Sequence, residues 1–236
     1  MPQYQQRNQF FKQGLPAPVS VFPQKRSHWL KAFRMPWVIL RLAICHPKCM
    51  EEALAAIRDF ADDAHGEQRR KYTPERYIVH PVRVMEICCK YNDRLPVLAA
   101  ALLHDVLEDT PVTVEKLRSF LTTVVNEDEA AETLKLVVEL TDVYTKEAHP
   151  RWNRKKRKVK EAERIENTTA DSQTIKYADI IDNCREIAVK DPDFANVFLR
   201  ECKSLLKVMP KGNPALYEEA KRTVADCLRQ VLNDRT

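Results

Sequence analysis

Residues 100–111 read AALLHDVLEDTP, and the reading of that stretch decides both the fold and the chemistry. On a helix over 97–109, Leu98, Ala99, Leu102, Leu103 and Val106 form an apolar stripe. His104 and Glu108 lie four residues apart, as do Asp105 and Asp109, so all four project from one side. Such acids could belong to an ordinary solvated face, but two features speak against it. No Lys or Arg stands between Arg94 and Lys116 to pair with Asp105, Glu108, Asp109 and Glu115. Glu108 and Asp109 also end their helix just before Pro111, where the macrodipole disfavours negative charge. A local rule broken without compensation marks a candidate functional site, and a bound cation would restore the balance.

Three glycines in 236 residues are too few for a turn-rich β fold or for a glycine cradle around phosphates. The seven cysteines show no regular framework, so they read as reduced thiols of an intracellular protein. The net charge of +5 is unevenly spread. Residues 1–50 hold eight Lys or Arg and no acid, which leaves 31 basic against 34 acidic residues in the remainder. The basic pI is therefore not a nucleic-acid footprint across the body of the chain. The longest apolar run of that first stretch, WVILRLAIC, is interrupted by Arg41 and is too short to span a bilayer, and no secretory signal is evident. A cytoplasmic protein is expected, with an N-terminal targeting segment left open.

Two segments are expected: a basic, proline-containing, poorly ordered extension over 1–49 and a helical body over 50–236. Leu54, Ile57 and Ala61 recur at helical spacing before a stop at Gly66. Helical patterns follow over 77–91, 97–109, from about Thr113, over 126–143, 172–189 and 193–209. A last helix opens with Asn213 as N-cap and Pro214 as first residue. The fold class is all-α.

A His–Asp pair beside further carboxylates suits Mn²⁺, Fe²⁺, Zn²⁺ or Mg²⁺ and needs ligands from elsewhere. His80, in YIVHP, and Asp179, in KYADIIDN, are candidates, with Asn183 one turn beyond Asp179. Taken alone, His80 reads equally as a core histidine and Asp179 as a cap or ion-pair partner.

In order, RRKYTPERYIVHPVRV (69–84), AALLHDVLEDTPVT (100–113) and IKYADIIDNCREI (175–187) resemble the HD-domain hydrolase of the RelA/SpoT alarmone enzymes, and most nearly its small stand-alone members. The resemblance covers roughly 53–190. It implies an HD-domain helical bundle with one divalent ion, usually Mn²⁺, on His80, His104, Asp105 and Asp179, and Glu108 and Asp109 activating the attacking water. The implied reaction is hydrolysis of the 3′-pyrophosphate of ppGpp or pppGpp to GDP or GTP plus pyrophosphate. Arg70 and Lys71 fall where the family contacts the purine, and Asn183 would line the base pocket. Without the resemblance, Arg70 and Lys71 would read as a solvated loop. The chain departs from the family's usual GEPY with PERY, Pro74 to Tyr77, which leaves the loop and base preference open while Arg76 offers a phosphate contact.

The basic run 151–160 reads either as a solvated helix with Arg157 paired to Glu161, or as a lid whose cations meet phosphates. The residues after 190 read as helices, so hydrolysis without alarmone synthesis is expected. The same metal site would also serve a phosphatase acting on NADPH or adenosine alarmones. A non-enzymatic alternative is a nucleotide sensor or a neutralising partner of a toxic alarmone synthetase.

Overall fold

The computed structural model describes residues 47–233; the proposed extension, apart from its last three residues, lies outside them. Among the described residues there are ten helices: α1 (Pro47–His65), α2 (Val79–Cys89), α3 (Leu95–Leu103), α4 (Val106–Asp109), α5 (Val114–Val124), α6 (Glu127–Leu140), α7 (Arg154–Ile165), α8 (Ala170–Lys190), α9 (Pro192–Val208) and α10 (Pro214–Asn233). The first helix thus starts three residues ahead of the expected boundary at Met50.

Most boundaries follow from local chemistry. Gly66 takes a positive φ of 54° after α1, a conformation that costs glycine little. Thr113 caps α5, and Asn126 with Glu129 forms a reciprocal capping box at α6. Asn213 accepts from the main-chain N–H groups of Ala215 and Leu216 to open α10.

Helix α3 is buried on every side, from Leu95 to Leu103, as befits a helix with no polar face. Leu98, Leu102 and Leu103 are sealed from solvent, and burial of each contributes about 1.5–3 kcal/mol. Helix α3 packs against α1, α2, α6 and α8, while α8 also meets α2, α6, α9 and α10. The segment that follows α3 and the middle of α8 bring polar residues to one cleft.

The structure differs from the sequence reading where it matters most. The helix expected over 97–109 breaks at His104–Asp105: α3 ends at Leu103, Asp105 sits at φ −96°, ψ −6°, and a single turn resumes at Val106. Asp105 occupies the sparsely populated bridge region between helix and turn. Glu108 and Asp109 therefore belong to a one-turn helix, and the argument from the dipole of a long helix does not apply to them.

Candidate metal centre

His80 enters the site from the first turn of α2. Pro81 follows it at no cost in hydrogen bonding, because the first amides of a helix have no partner within it. His104 and Asp105 come from the break between α3 and α4, and Asp179 from the middle of α8. His80, His104 and Asp179 are 1%, 2% and 7% exposed. Ligating atoms of His80, His104 and Asp105 lie within 4.8 Å of one another. Asp179 joins them: its Oδ1 is 3.2 Å from His80 Nε2 and 3.8 Å from His104 Nε2. Asp105 Oδ2 lies 3.1 Å from His104 Nε2 and 3.7 Å from His80 Nε2.

Both imidazoles are oriented from behind. His80 Nδ1 donates to Asp182 Oδ2 at 2.6 Å, and Asp182 Oδ1 accepts from Arg83 Nε at 2.8 Å. His104 Nδ1 donates to the carbonyl of Ala101 at 2.8 Å, a bond back to the last turn of α3. Each Nε2 is thereby turned to the same point, and His104 Nε2 is buried with no hydrogen-bond partner. Two imidazole nitrogens and two carboxylates around one point, with an orphaned buried nitrogen among them, fit a divalent ion.

The acids are not all alike. Burial works against ionisation of Asp105, but His104 and His80 hold its carboxyl well below the usual range. Burial likewise opposes ionisation of Asp179, and Lys176 with the two histidines overcomes it. Glu108 moves the other way: desolvation in the cleft and the nearby Asp142 carboxylate push it up to about 7. Asp109 is raised by partial desolvation in the cleft and by the charge of Asp105. Glu108 accepts the main-chain N–H of Asp142 at 3.1 Å, which fixes its carboxylate on the cleft wall. Four held ligands beside two more basic carboxylates is an arrangement that can bind a cation and take up protons next to it.

These residues open onto a cleft of about 910 Å³. Asp105, Glu108, Asp109 and Asp179 are among its lining, to which Arg154, Lys155, Lys158 and Arg200 of α7 and α9 and Lys176 of α8 contribute cations. The basic run thus lines the cleft. Arg157 is not paired with Glu161: its guanidinium donates to the carbonyl of Trp152 at 2.5 Å. Glu161 is buried instead, accepting the N–H groups of Val143 and Tyr144 and the Arg164 guanidinium.

The segment before His80 folds back on itself, with Arg70 N donating to Glu75 O and Tyr77 N to Gln68 O. It separates the two cations expected to meet a base. Arg70 packs 5.6 Å from the Tyr77 ring centre and donates to Asn183 Oδ1 (3.1 Å) and Glu186 Oε2 (2.9 Å). Asn183 lines the cleft and donates to Asp179 Oδ1 at 2.5 Å. Lys71 is mostly exposed and turned to Tyr72 and Asp191. Arg76 pairs with Asp62.

Sequence reading missed Tyr77, whose hydroxyl donates to Asp105 Oδ2 at 2.7 Å, and it missed Lys176 and Asp182. Asp182 and Lys176 each stand three residues from Asp179, so helical spacing alone could have flagged them.

Residues 77–184 match the HD domain, a span that holds all six proposed ligand and catalytic positions. The all-helical fold and the His–Asp centre are those of an HD domain, and the match places one over residues 77–184 of this chain. It is 34% identical over 133 residues to the mouse guanosine-3′,5′-bis(diphosphate) 3′-pyrophosphohydrolase MESH1, a stretch covering 55% of this chain and 66% of that protein. It is 42% identical over 73 residues to the Aquifex aeolicus guanosine-3′,5′-bis(diphosphate) 3′-pyrophosphohydrolase, covering 31% of this chain and 10% of that one. The chain thus spans less than two thirds of either relative. The solved structure of a metazoan ortholog of SpoT that hydrolyzes ppGpp superposes with a TM-score of 0.61 at 24% identity, over 75% of this chain and 94% of that one, a likeness of fold.

Proposed function

We propose that this chain hydrolyses the 3′-pyrophosphate of guanosine alarmones, ppGpp and pppGpp, to GDP or GTP and pyrophosphate. The observation that carries this reading is the convergence of His80, His104, Asp105 and Asp179 in a cleft that also presents Glu108, Asp109 and five cations. The mouse and Aquifex relatives named for this activity support it.

His80, His104, Asp105 and Asp179 would hold a divalent ion, for which Mn²⁺ suits the mixed nitrogen and oxygen donors. Such an ion polarises a phosphoryl oxygen and makes water acidic enough to attack near neutral pH. Glu108 and Asp109 are the bases that take the water's proton, and their raised pKa values bring them nearer working pH. Lys155, Lys158 and Arg200 meet phosphate charge, while Arg70 and Asn183, bonded to each other, form the edge where a purine docks. The functional unit is the helical body over 50–236, with 1–49 dispensable for chemistry. Six unpaired cysteines among the described residues suit a reducing, cytoplasmic setting. No described helix is long and apolar enough to cross a membrane.

The test is purified protein with Mn²⁺ offered ppGpp, pppGpp, their adenosine counterparts and NADPH, with products resolved by chromatography and His104→Ala as control. Pyrophosphate release from guanosine substrates, abolished in the variant, is the expected result. Turnover of NADPH or adenosine nucleotides alone would keep the metal centre and replace the substrate. Metal binding without any turnover would favour a sensor or a sequestering partner of an alarmone synthetase.

A further inference from the structure

We infer that Lys176 is a positioning residue that divides the two oxygens of Asp179 between the metal centre and the protein. The inference rests on the metal centre proposed above. Lys176 precedes Asp179 by three residues on α8, so the two side chains lie one above the other on the same helix face. Lys176 Nζ lies 2.9 Å from Asp179 Oδ2. The other oxygen, Oδ1, is the one that faces His80 Nε2 and His104 Nε2 and accepts from Asn183. Asp179 is therefore pinned from both ends, with a single oxygen turned to the two histidines.

A lysine in this position is otherwise hard to account for. Its ammonium lines the cleft within reach of the centre that would carry a divalent cation, and two positive charges there repel. A stabilising surface pair would not need to be set at that depth. The carboxylates of Asp142 and Glu108 face the same ammonium from α4 and from the segment after α6. Lys176 thus tempers a ring of acids that must coexist with an anionic substrate. It also withholds Oδ2, which would otherwise be free to take a second place at the ion and leave less room for water. A lysine kept for this purpose weakens metal binding and favours turnover.

The test is the full chain carrying Lys176→Met, which keeps the length of the side chain and removes its charge and its hydrogen bond. Mn²⁺ affinity is measured by titration calorimetry, water access to the bound ion by water-proton relaxation, and hydrolysis as kcat and KM separately. The expected result is tighter Mn²⁺ binding, weaker relaxation per bound ion and a kcat about 10–100-fold lower, the range typical of residues that orient metal ligands. A purely structural lysine would instead give weaker Mn²⁺ binding and a lower melting temperature, and that result would overturn the inference, as would unchanged relaxation. Should Lys176→Met fail to fold, Lys176→Gln removes the charge but keeps a donor to Oδ2. It should then bind Mn²⁺ more tightly than wild type with relaxation near the wild-type value, and affinity no tighter than wild type would overturn the inference. Wild-type protein that binds no Mn²⁺ at all would remove the metal centre itself, a failure separate from that of Lys176.

Discussion

Replacing Asp182 by Asn should cripple the metal centre without touching a ligand. Asp182 serves two donors at once, His80 Nδ1 through Oδ2 and Arg83 Nε through Oδ1. An asparagine has one acceptor oxygen for those two donors. If the oxygen stays with His80, the amide NH₂ faces the Arg83 guanidinium, donor against donor. If it turns to Arg83, the NH₂ faces His80 Nδ1 and favours the tautomer whose Nε2 carries a hydrogen, which cannot ligate. Either way a charge-assisted bond worth about 1.5–3 kcal/mol is weakened or lost. Loss of partners that orient metal ligands costs about 10–100-fold in affinity, which is about 1.4–2.8 kcal/mol. The two ranges overlap, so the expected outcome is an Mn²⁺ Kd raised about 10–100-fold. Titration calorimetry on Asp182→Asn and wild type measures it, and thermal melts confirm that both are folded. Arg83→Met is the companion variant: it leaves His80 its acceptor, and the Arg83 side chain is 36% exposed, so its Kd should move little. An Asp182→Asn protein that is folded and binds Mn²⁺ as wild type does would refute the orienting role.

Metal binding should depend on pH through His80. Burial lowers its pKa, but hydrogen bonds to Asp179 and Asp182 and the charge of Asp105 prevail and raise it to about 9. A protonated imidazole cannot ligate, so Mn²⁺ affinity should rise by about tenfold per pH unit for that one competing proton and level off above about 9, as titrations at successive pH values will reveal. Glu108→Gln, whose amide oxygen can still accept the Asp142 N–H, should lose about 10²–10⁴-fold in hydrolysis while binding Mn²⁺ nearly as well as wild type. Gly212→Ala should destabilise the fold, because a Cβ there would meet Tyr177 Cε2 at 2.5 Å and the Thr174 main-chain N at 2.8 Å on α8. Overpacking of this kind costs about 1–3 kcal/mol. At about 2–4 °C per kcal/mol for a chain of this size, a clear drop in the melting temperature should follow.

The sequence by itself determined the helices and the identity of the proposed ligands. Helical periodicity and caps such as Asn126 and Asn213 act within a few residues, so they are written locally and can be read locally. His104 and Asp105 stood out because no Lys or Arg between Arg94 and Lys116 balances the acids beside them. Tertiary structure decided how that imbalance is resolved. The compensating groups come from far along the chain: Lys176 beside Asp179, Tyr77 on Asp105, and Asp182 behind His80 across 102 residues. It also decided that the helix breaks at His104–Asp105, which frees the Ala101 carbonyl to orient His104, and that Lys71 turns away while Arg70 stays. Hydrogen bonds between helices depend on packing angle and depth, which no local pattern encodes. The residues proposed to hold the ion could therefore be named from the sequence, and the residues that would aim them only once α2, α3 and α8 were packed together.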